Sequence, residues 1–194
     1  MAEKLNFSQI ECLVVDADQY STSILGQILR GFGLTKHVVI DSADEAKRRL
    51  PAGHFDLLIC DATLPDMHAG DLIKWIRRQP GLNVKYMPIV VLTGYTQYSN
   101  VVVLRDSGAN IVVRKPVSPN VLFDHIAWSA RTERPFIETD NYIGPDRRFK
   151  NAGPPDGVGR RKTDLTSELG AATEPNMSQD EIDSLLKPTK VEIE

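Results

Sequence analysis

The first 134 residues predict an α/β fold built on a parallel β-sheet with helices on both faces. Two observations support this prediction. Five short apolar runs lack polar alternation, as strands covered on both faces do, and they alternate with segments of helical periodicity. Such strand–helix units pack as parallel sheets with right-handed crossovers. The composition, with 41% hydrophobic and 25% charged residues, is that of a globular domain.

The predicted strands are short, and a polar or charged residue follows each one. They cover residues 12–15, 37–40, 55–60, 88–92 and 111–113, and the residues that follow them are Asp16, Asp41, Asp61, Thr93 and Arg114. In parallel α/β sheets the site forms outside the carboxyl ends of the strands. The residues at these ends are therefore the first candidates for a functional site.

The predicted helices lie between and after the strands, with apolar residues on one stripe of each. They cover residues 23–32, 42–50, 70–78, 101 to about 108, and 119–134. The second helix opens on a predicted capping box, in which Ser42 and Glu45 satisfy each other's backbone N–H groups. The last helix opens on Pro119, which the first turn of a helix tolerates.

The end of the chain differs in composition from this domain. Of twelve prolines in 194 residues, six fall after Arg134, where apolar runs are sparse. We expect a domain at residues 8–134, a flexible linker with a basic block at 135–176, a short helix at 177–187 and a disordered end at 188–194.

Several classes of protein are excluded by the same reading. No apolar run approaches the roughly 20 residues of a membrane span, and the N-terminus has no signal-peptide stretch, so a cytoplasmic location is expected. Cys12 and Cys60 cannot form a disulfide framework and are predicted to be core residues. With a net charge of −3, the chain has no overall positive charge that would attract DNA, and no DNA-binding domain is evident after the predicted sheet.

Four strand-end residues form a chemically coherent set: Asp16, Asp61, Thr93 and Lys115. Paired carboxylates favour a hard cation such as Mg²⁺. An aspartate can attack phosphorus and form an acyl phosphate. A hydroxyl and an ammonium can then neutralise the oxygens of the transferred group. The set therefore predicts a site for phosphoryl transfer to an aspartate.

These motifs resemble the receiver domain of bacterial two-component response regulators, the CheY-like family, over residues 8–134. The resemblance rests on Leu13-Val-Val-Asp16, Ile59-Cys-Asp61-Ala-Thr-Leu-Pro65, Val90-Val-Leu-Thr93-Gly94 and Lys115-Pro116. It implies a doubly wound five-stranded sheet of order 2-1-3-4-5, for which CheY is itself a standard example. It also implies a phosphoryl-accepting regulator rather than an enzyme.

The resemblance assigns roles to the residues at the strand ends. Asp61 would accept the phosphoryl group from a histidine kinase or a histidine phosphotransfer protein, and Thr93 and Lys115 would contact that group. Asp16, Asp61 and the carbonyl of Thr63 would hold Mg²⁺.

Three positions depart from the family pattern. Two adjacent acids are usual after the first strand, but here Ala17 separates Asp16 from Asp18, so Asp18 is a tentative metal ligand and Mg²⁺ affinity is in question. His68-Ala69-Gly70 stands where an Asp-Gly turn is common. Val112 replaces the aromatic residue that many receivers rotate as a switch, so signal output is expected to run through Thr93 or backbone shifts.

A basic block precedes the end of the chain. Residues 142–162 hold six bases and two acids, and they include two arginine pairs, Arg147-Arg148 and Arg160-Arg161. Paired arginines beside glycines suit the capture of phosphates. Because some CheY-like motility regulators bind cyclic di-GMP through arginine-rich tails, that ligand is one hypothesis. The alternative is a solvated basic linker.

The last acidic segment predicts a short amphipathic helix. Ser178 and Glu181 form a capping box, and Ile182, Leu185 and Leu186 make one apolar stripe. Residues 177–186 closely resemble the N-terminal peptide of flagellar motor-switch proteins, to which phosphorylated CheY binds. A helix this short is marginal alone in water and should order on a partner. That partner could be the face formed by the fourth and fifth helices of its own receiver, or another phosphorylated CheY-like protein.

The sequence thus predicts a stand-alone response regulator of phosphorelay signalling, tied to motility or chemotaxis, whose output is contact with other proteins. Two alternatives stay open. Ala17 supports a scaffold whose receiver is not phosphorylated and whose tail carries the function. The arginine pairs support a cyclic di-GMP binder.

Overall fold

A computed structural model of the chain describes residues 7–80, 83–131, 134–146 and 176–186. Five strands form one parallel sheet in the order β2-β1-β3-β4-β5, which confirms the predicted fold. The strands are β1 Cys12–Val15, β2 His37–Ile40, β3 Leu57–Asp61, β4 Ile89–Thr93 and β5 Ile111–Arg114. The helices are α1 Gln19–Gly31, α2 Ala43–Ala52, α3 Ala69–Arg77, α4 Tyr98–Asp106, α5 Pro119–Arg131 and α6 Gln179–Leu186, with a 3-10 turn at Asn83–Lys85.

The sheet has a hydrophobic cluster on each face because successive strand residues point to opposite sides. Leu13 and Val15 of β1 belong to the cluster that also holds buried residues of α2, α3, α4 and α6. Cys12 and Val14 belong to the other cluster, with α1 and α5. This two-sided burial explains why the strands read as continuous apolar runs.

The start of α2 is not capped as the sequence predicted. Ser42 occupies the N-cap position but its side chain makes no capping hydrogen bond, so the predicted capping box is wrong. The carboxylate of Asp66, from the loop after β3, instead accepts the N–H groups of Ala43 at 3.0 Å and Asp44 at 2.7 Å. Slight burial opposes ionisation, but these hydrogen bonds hold the pKa of Asp66 below its usual value.

The predicted flexible linker also needs correction at its start. Residues 136–145 form an antiparallel hairpin of β6 Phe136–Glu138 and β7 Ile143–Pro145. The hairpin approaches the turn before β5 so closely that a Cβ on Gly108 would lie 2.5 Å from the carbonyl oxygen of Ile143. Gly108 also has a φ of 101°, which favours glycine. The rest of the predicted linker and the end of the chain lie outside the described residues, as do Arg147, Arg148, Arg160 and Arg161.

A buried arginine joins the hairpin to the sheet. Arg77, at the end of α3, is 1% exposed, and its guanidinium donates to the carbonyls of Lys85, Met87 and Gly108. It also lies over the ring of Phe136, at 5.1 Å from the ring centroid. Burial lowers the pKa of Arg77. The side chain thereby satisfies backbone oxygens from two segments, the stretch before β4 and the turn before β5.

Within the described parts of the chain, each helix is too short or too polar to cross a lipid bilayer.

Candidate phosphoryl-accepting site and tail contacts

The strand register brings the predicted acids to one edge of the sheet. Val15 of β1 pairs with Cys60 of β3, so the residues that follow, Asp16 and Asp61, stand side by side. Thr93 of β4 pairs with Arg114 of β5, which places Lys115 just beyond the next strand end. The structure therefore gathers all four predicted residues at the carboxyl ends of neighbouring strands.

Lys115 joins the two carboxylates directly. Its Nζ donates to Asp16 Oδ2 at 2.9 Å and to Asp61 Oδ1. Burial disfavours the ammonium, but the hydrogen bonds and charges of Asp61 and Asp16 outweigh it and raise the pKa of Lys115. The Asp61 side chain keeps 17% of its surface exposed, whereas that of Asp16 keeps 5%. Asp61 is thus the more accessible carboxylate of the two.

Both carboxylates also accept hydrogen bonds from their own neighbourhood. Asp16 Oδ1 accepts the N–H of Asp18 at 2.9 Å, and Oδ2 accepts the hydroxyl of Ser21 at 2.9 Å. Asp61 Oδ2 accepts the N–H of Thr63 at 2.9 Å. The sequence reasoning missed Ser21, since a serine inside a helix carries no signal until the helix is oriented toward the strand ends.

The sequence suggested Asp18 as a tentative metal ligand, but in the structure its side chain caps a helix. Its Oδ1 accepts the backbone N–H groups of Tyr20 at 2.9 Å and Ser21 at 3.3 Å, so it is the N-cap of α1. This cap also explains why α1 begins at Gln19, four residues before the predicted start. The acidic pair is then Asp16 and Asp61.

Thr93 is buried, and its hydroxyl is turned into its own loop. It accepts the N–H of Tyr95 at 3.0 Å and donates to the Tyr95 carbonyl at 3.2 Å. The backbone carbonyl of Thr93 accepts the N–H of Lys115 at 2.7 Å. Thr93 and Lys115 are therefore coupled through the backbone of adjacent strands.

Two of the departures from the family pattern have local explanations. His68 is the N-cap of α3, and its Nδ1 accepts the N–H of Gly70 at 3.1 Å. A Cβ on Gly70 would lie 2.8 Å from Ser107 Oγ, so a larger residue there would require the Ser107 side chain to move. Val112 is fully buried in the same hydrophobic cluster as two residues of the tail helix, Ile182 and Leu186.

The residues fit a Mg²⁺ site. Mg²⁺ is commonly held by one or two carboxylates and keeps several waters, so Asp16 and Asp61 would be a sufficient pair of carboxylate donors, with the Thr63 carbonyl as the further ligand that the resemblance implies. Lys115 competes with a cation for the same oxygens. Among the described residues there is no group of three or more acid, histidine or cysteine side chains placed to hold a metal. Bound Mg²⁺ would supply positive charge beside the transferred phosphoryl oxygens.

The tail helix α6 lies on the face formed by α4, β5 and α5. Its Ile182 is fully buried and Leu186 is 6% exposed, in the cluster that also contains Val101, Leu104 and Val112. Leu185 is partly buried against the same cluster. This is the intramolecular arrangement that the sequence analysis left open beside docking on another protein.

The capping box of the tail helix forms as predicted. The N–H and hydroxyl of Ser178 donate to Glu181 Oε2 at 2.7 and 2.8 Å. The N–H of Glu181 donates back to Ser178 Oγ at 3.4 Å. The bonds from Ser178 lower the pKa of Glu181. The capping box therefore fixes the residue at which α6 begins.

Polar contacts fix the tail on the sheet edge. Gln179 Oε1 accepts the N–H of Arg114 at 2.7 Å, and Gln179 Nε2 donates to the carbonyl of Val112 at 3.1 Å. The amide thus pairs with β5 as a neighbouring strand would. The N–H of Met177 donates to the carbonyl of Thr96 at 2.8 Å. On α5, His125 Nε2 lies 2.8 Å from Asp183 Oδ1.

Comparison with known proteins agrees with this architecture. The model of the response regulator receiver domain family matches residues 12–127. The chain is 28% identical over 117 residues to the chemotaxis protein CheY of Pseudomonas aeruginosa, covering 60% of this chain and 93% of that protein. It is 36% identical over 112 residues to the DNA-binding response regulator MtrA of Mycolicibacterium smegmatis, covering 57% of this chain and 46% of MtrA.

Solved structures give the same result. A crystal structure of a putative response regulator from Chloroflexus aurantiacus superposes with a TM-score of 0.56 at 29% identity. That match covers 61% of this chain and 95% of the other. The similarity therefore extends over the sheet and its helices, which form the site.

Proposed function

Since the chain belongs to the response regulator receiver domain family, we propose that it accepts a phosphoryl group on Asp61 and signals through contacts with other proteins. One observation carries the proposal. Asp61, at the carboxyl end of β3, is the more exposed member of the carboxylate pair, and Lys115 is already bonded to it. A histidine kinase or a histidine phosphotransfer protein would be the donor.

The residues of the site can carry out phosphoryl transfer from a donor histidine to Asp61. A carboxylate oxygen of Asp61 attacks phosphorus, the phosphorus–nitrogen bond to the donor histidine breaks, and its electron pair returns to the imidazole. Lys115 stays beside the developing charge on the phosphoryl oxygens, and the Thr93 hydroxyl can turn from Tyr95 to donate to them. Attack of water on phosphorus later regenerates the carboxylate and releases phosphate.

The test is phosphoryl labelling of the full chain with acetyl phosphate in the presence of Mg²⁺, read by intact mass. We expect one phosphoryl group per chain and none on Asp61→Asn. A matched control is Asp71→Asn, which removes an exposed acid from α3 and should leave labelling unchanged. Labelling of the Asp61→Asn variant at the level of the unmodified protein would exclude Asp61 as the acceptor.

A role in motility or chemotaxis is the finer part of the proposal. It is supported by the similarity to a chemotaxis protein over 93% of that protein's length. It is also supported by the tail segment, which resembles motor-switch peptides. A strain of the source organism that carries Asp61→Asn should swim abnormally in soft agar. Normal swimming would restrict the proposal to phosphoryl signalling in another pathway.

A second candidate is a scaffold that is not phosphorylated. Ala17 in place of an acid, together with the occupation of both carboxylates by Lys115, favours this candidate. A scaffold would bind no Mg²⁺ and would show no labelling, so the experiment above separates the two functions.

A further inference from the structure

The backbone of β5 holds Gln179, the first residue of α6, in one orientation. Gln179 Oε1 accepts the N–H of Arg114 at 2.7 Å, and Nε2 donates to the carbonyl of Val112 at 3.1 Å. Since a backbone N–H can only donate and a carbonyl can only accept, a flipped amide would lose both hydrogen bonds. The same Nε2 also donates to Asp183 Oδ1 at 2.8 Å. Asp183 Oδ1 is therefore an acceptor toward Gln179.

His125 of α5 lies between two hydrogen-bond acceptors. Its Nε2 is 2.8 Å from Asp183 Oδ1, and its Nδ1 is 2.6 Å from the carbonyl oxygen of Val121. A neutral imidazole carries one N–H and can donate to only one of these oxygens, whereas a protonated imidazole donates to both. The docked contact therefore holds one proton more than a neutral histidine beside an ionised aspartate. That count is the same whether the proton lies on Nε2 or on the facing carboxylate oxygen.

The surroundings of the pair favour this extra proton. Asp124, the residue before His125, lines the same cavity as the pair, and two further acids of α6, Asp180 and Glu181, are exposed. Arg114 of β5 is also exposed, and it approaches α6 through its backbone N–H. Nearby carboxylates favour an imidazolium, while burial opposes it. Because both side chains of the pair are 14% exposed, water has little access to replace a missing donor.

We propose that His125 and Asp183 form a proton-dependent clasp, so that α6 docks more tightly at acidic pH and less tightly as the pH rises. An ordinary histidine loses its proton near about pH 6.5. Below that pH, the docked and the free tail both keep the proton, and the full contribution of the contact is present. Above it, docking must take up a proton, so the docking equilibrium falls by at most about tenfold per pH unit until the docked pair is also deprotonated.

Loss of this proton should be enough to release the tail because its other contacts are few. The helix has eight residues, which is too short to be stable in water without the groove. Its fully buried contact is Ile182, with Leu186 at 6% exposure. A deprotonated His125 would turn a lone pair toward the carboxylate of Asp183. As docking weakens, the apolar stripe of α6 and the face that it covers become available to other proteins. This inference concerns the tail contact alone and does not rest on the proposed function.

The first experiment measures hydrogen exchange of the amides of residues 177–186 in the full chain from about pH 6 to about pH 8.5. Rates are expressed as protection factors, which remove the intrinsic pH dependence of exchange. We expect protection to fall about fivefold or more over this range. In His125→Gln, protection should not change with pH. The matched control is His54→Gln, which changes an exposed histidine and should behave as the unmodified chain does.

Two results of this experiment would overturn the proposal. One is protection in the unmodified chain that stays constant or increases as the pH rises. The other is an equal fall in His125→Gln, because the proton would then be bound by another group.

The second experiment covers the case in which His125→Gln releases the tail at every pH. The ring of His125 is titrated by NMR in the unmodified chain and in Ile182→Asp, which puts a charge at a fully buried position of α6 and displaces the helix. We expect the ring to titrate about one pH unit higher in the unmodified chain, since docking and proton binding favour each other equally. Asp180→Asn, an exposed acid of the same helix, should match the unmodified chain. Equal titration in the unmodified chain and Ile182→Asp would overturn the clasp.

Discussion

Replacing Lys115 by methionine should strengthen Mg²⁺ binding while it impairs phosphorylation. Lys115 bonds to Asp16 and Asp61, so it occupies oxygens that a cation needs. Methionine has a similar length and no charge, so it removes the competition with little change in volume. The same change removes the ammonium that would stabilise the transferred phosphoryl group, so labelling of Asp61 should become slower.

The magnitude of the Mg²⁺ effect follows from the geometry. A unit charge about 4 Å from a carboxylate is worth about 1 kcal/mol in water and about 4 kcal/mol near a protein surface. The Lys115 side chain is 24% exposed and can rotate toward solvent when a cation enters, which favours the lower half of that range. We therefore expect a gain of about 1–2 kcal/mol, or about 5- to 30-fold in the dissociation constant.

The assay is calorimetric titration of Mg²⁺ into the full chain at low ionic strength, where screening is weakest. Lys74→Met is the matched control, because Lys74 is an exposed lysine of α3 that lies 3.8 Å from Asp71. It should leave Mg²⁺ affinity unchanged. If Lys115→Met bound Mg²⁺ no better than the unmodified chain, the idea that lysine and metal compete for the acidic pair would be wrong.

Three further predictions concern stability and reactivity. Arg77→Met should lower the free energy of unfolding by about 3–5 kcal/mol in urea titration, because it leaves buried carbonyls unpaired; a loss below about 1 kcal/mol would contradict this. Burial raises the pKa of Cys12 and, together with Asp61 and Asp16, that of Cys60 to about 12, so neither thiol should react with a disulfide reagent before the chain unfolds. Gly108→Ala should lower the free energy of unfolding by about 1–3 kcal/mol, as measured by thermal melting. Gly31→Ala, where a Cβ would meet open space, should raise it by about 0.4–1 kcal/mol.

The sheet could be predicted because its signals are local. Each strand is an apolar run that ends at a polar residue, and the predicted bounds of β1 and β2 equal the observed ones. The same runs placed Asp16, Asp61, Thr93 and Lys115 at strand ends, since the carboxyl ends of parallel strands share one edge. No knowledge of side-chain packing was needed for this step.

The parts that could not be predicted depend on contacts between distant segments. The cap of α2 comes from Asp66, more than twenty residues along the chain, while the local motif at Ser42 and Glu45 is not used for capping. Glu45 instead bonds to Arg49, one turn further along the helix. A local capping pattern has no means of showing that another carboxylate reaches the same N–H groups.

The β6–β7 hairpin was missed for a related reason. Its strands have three residues each, so they carry no periodicity that would distinguish them from a linker. The hairpin is held by the close approach of Gly108 to Gly144 and by the ring of Phe136 against Arg77. These contacts exist only after α3 and the turn before β5 have been brought together by the sheet.

The displaced acid after β1 changes the charge balance of the site rather than only its metal ligands. Asp18 caps α1, so the cluster contains Asp16, Asp61 and Lys115, with a formal charge of −1. A third carboxylate at the place of Ala17 would make that charge −2. Since like charges raise the cost of bringing an anionic phosphoryl group to Asp61, the present cluster opposes its approach less and needs less help from a cation. The loss of an acid is therefore compatible with phosphorylation, with Lys115 supplying part of the neutralisation that a tightly bound metal would otherwise provide.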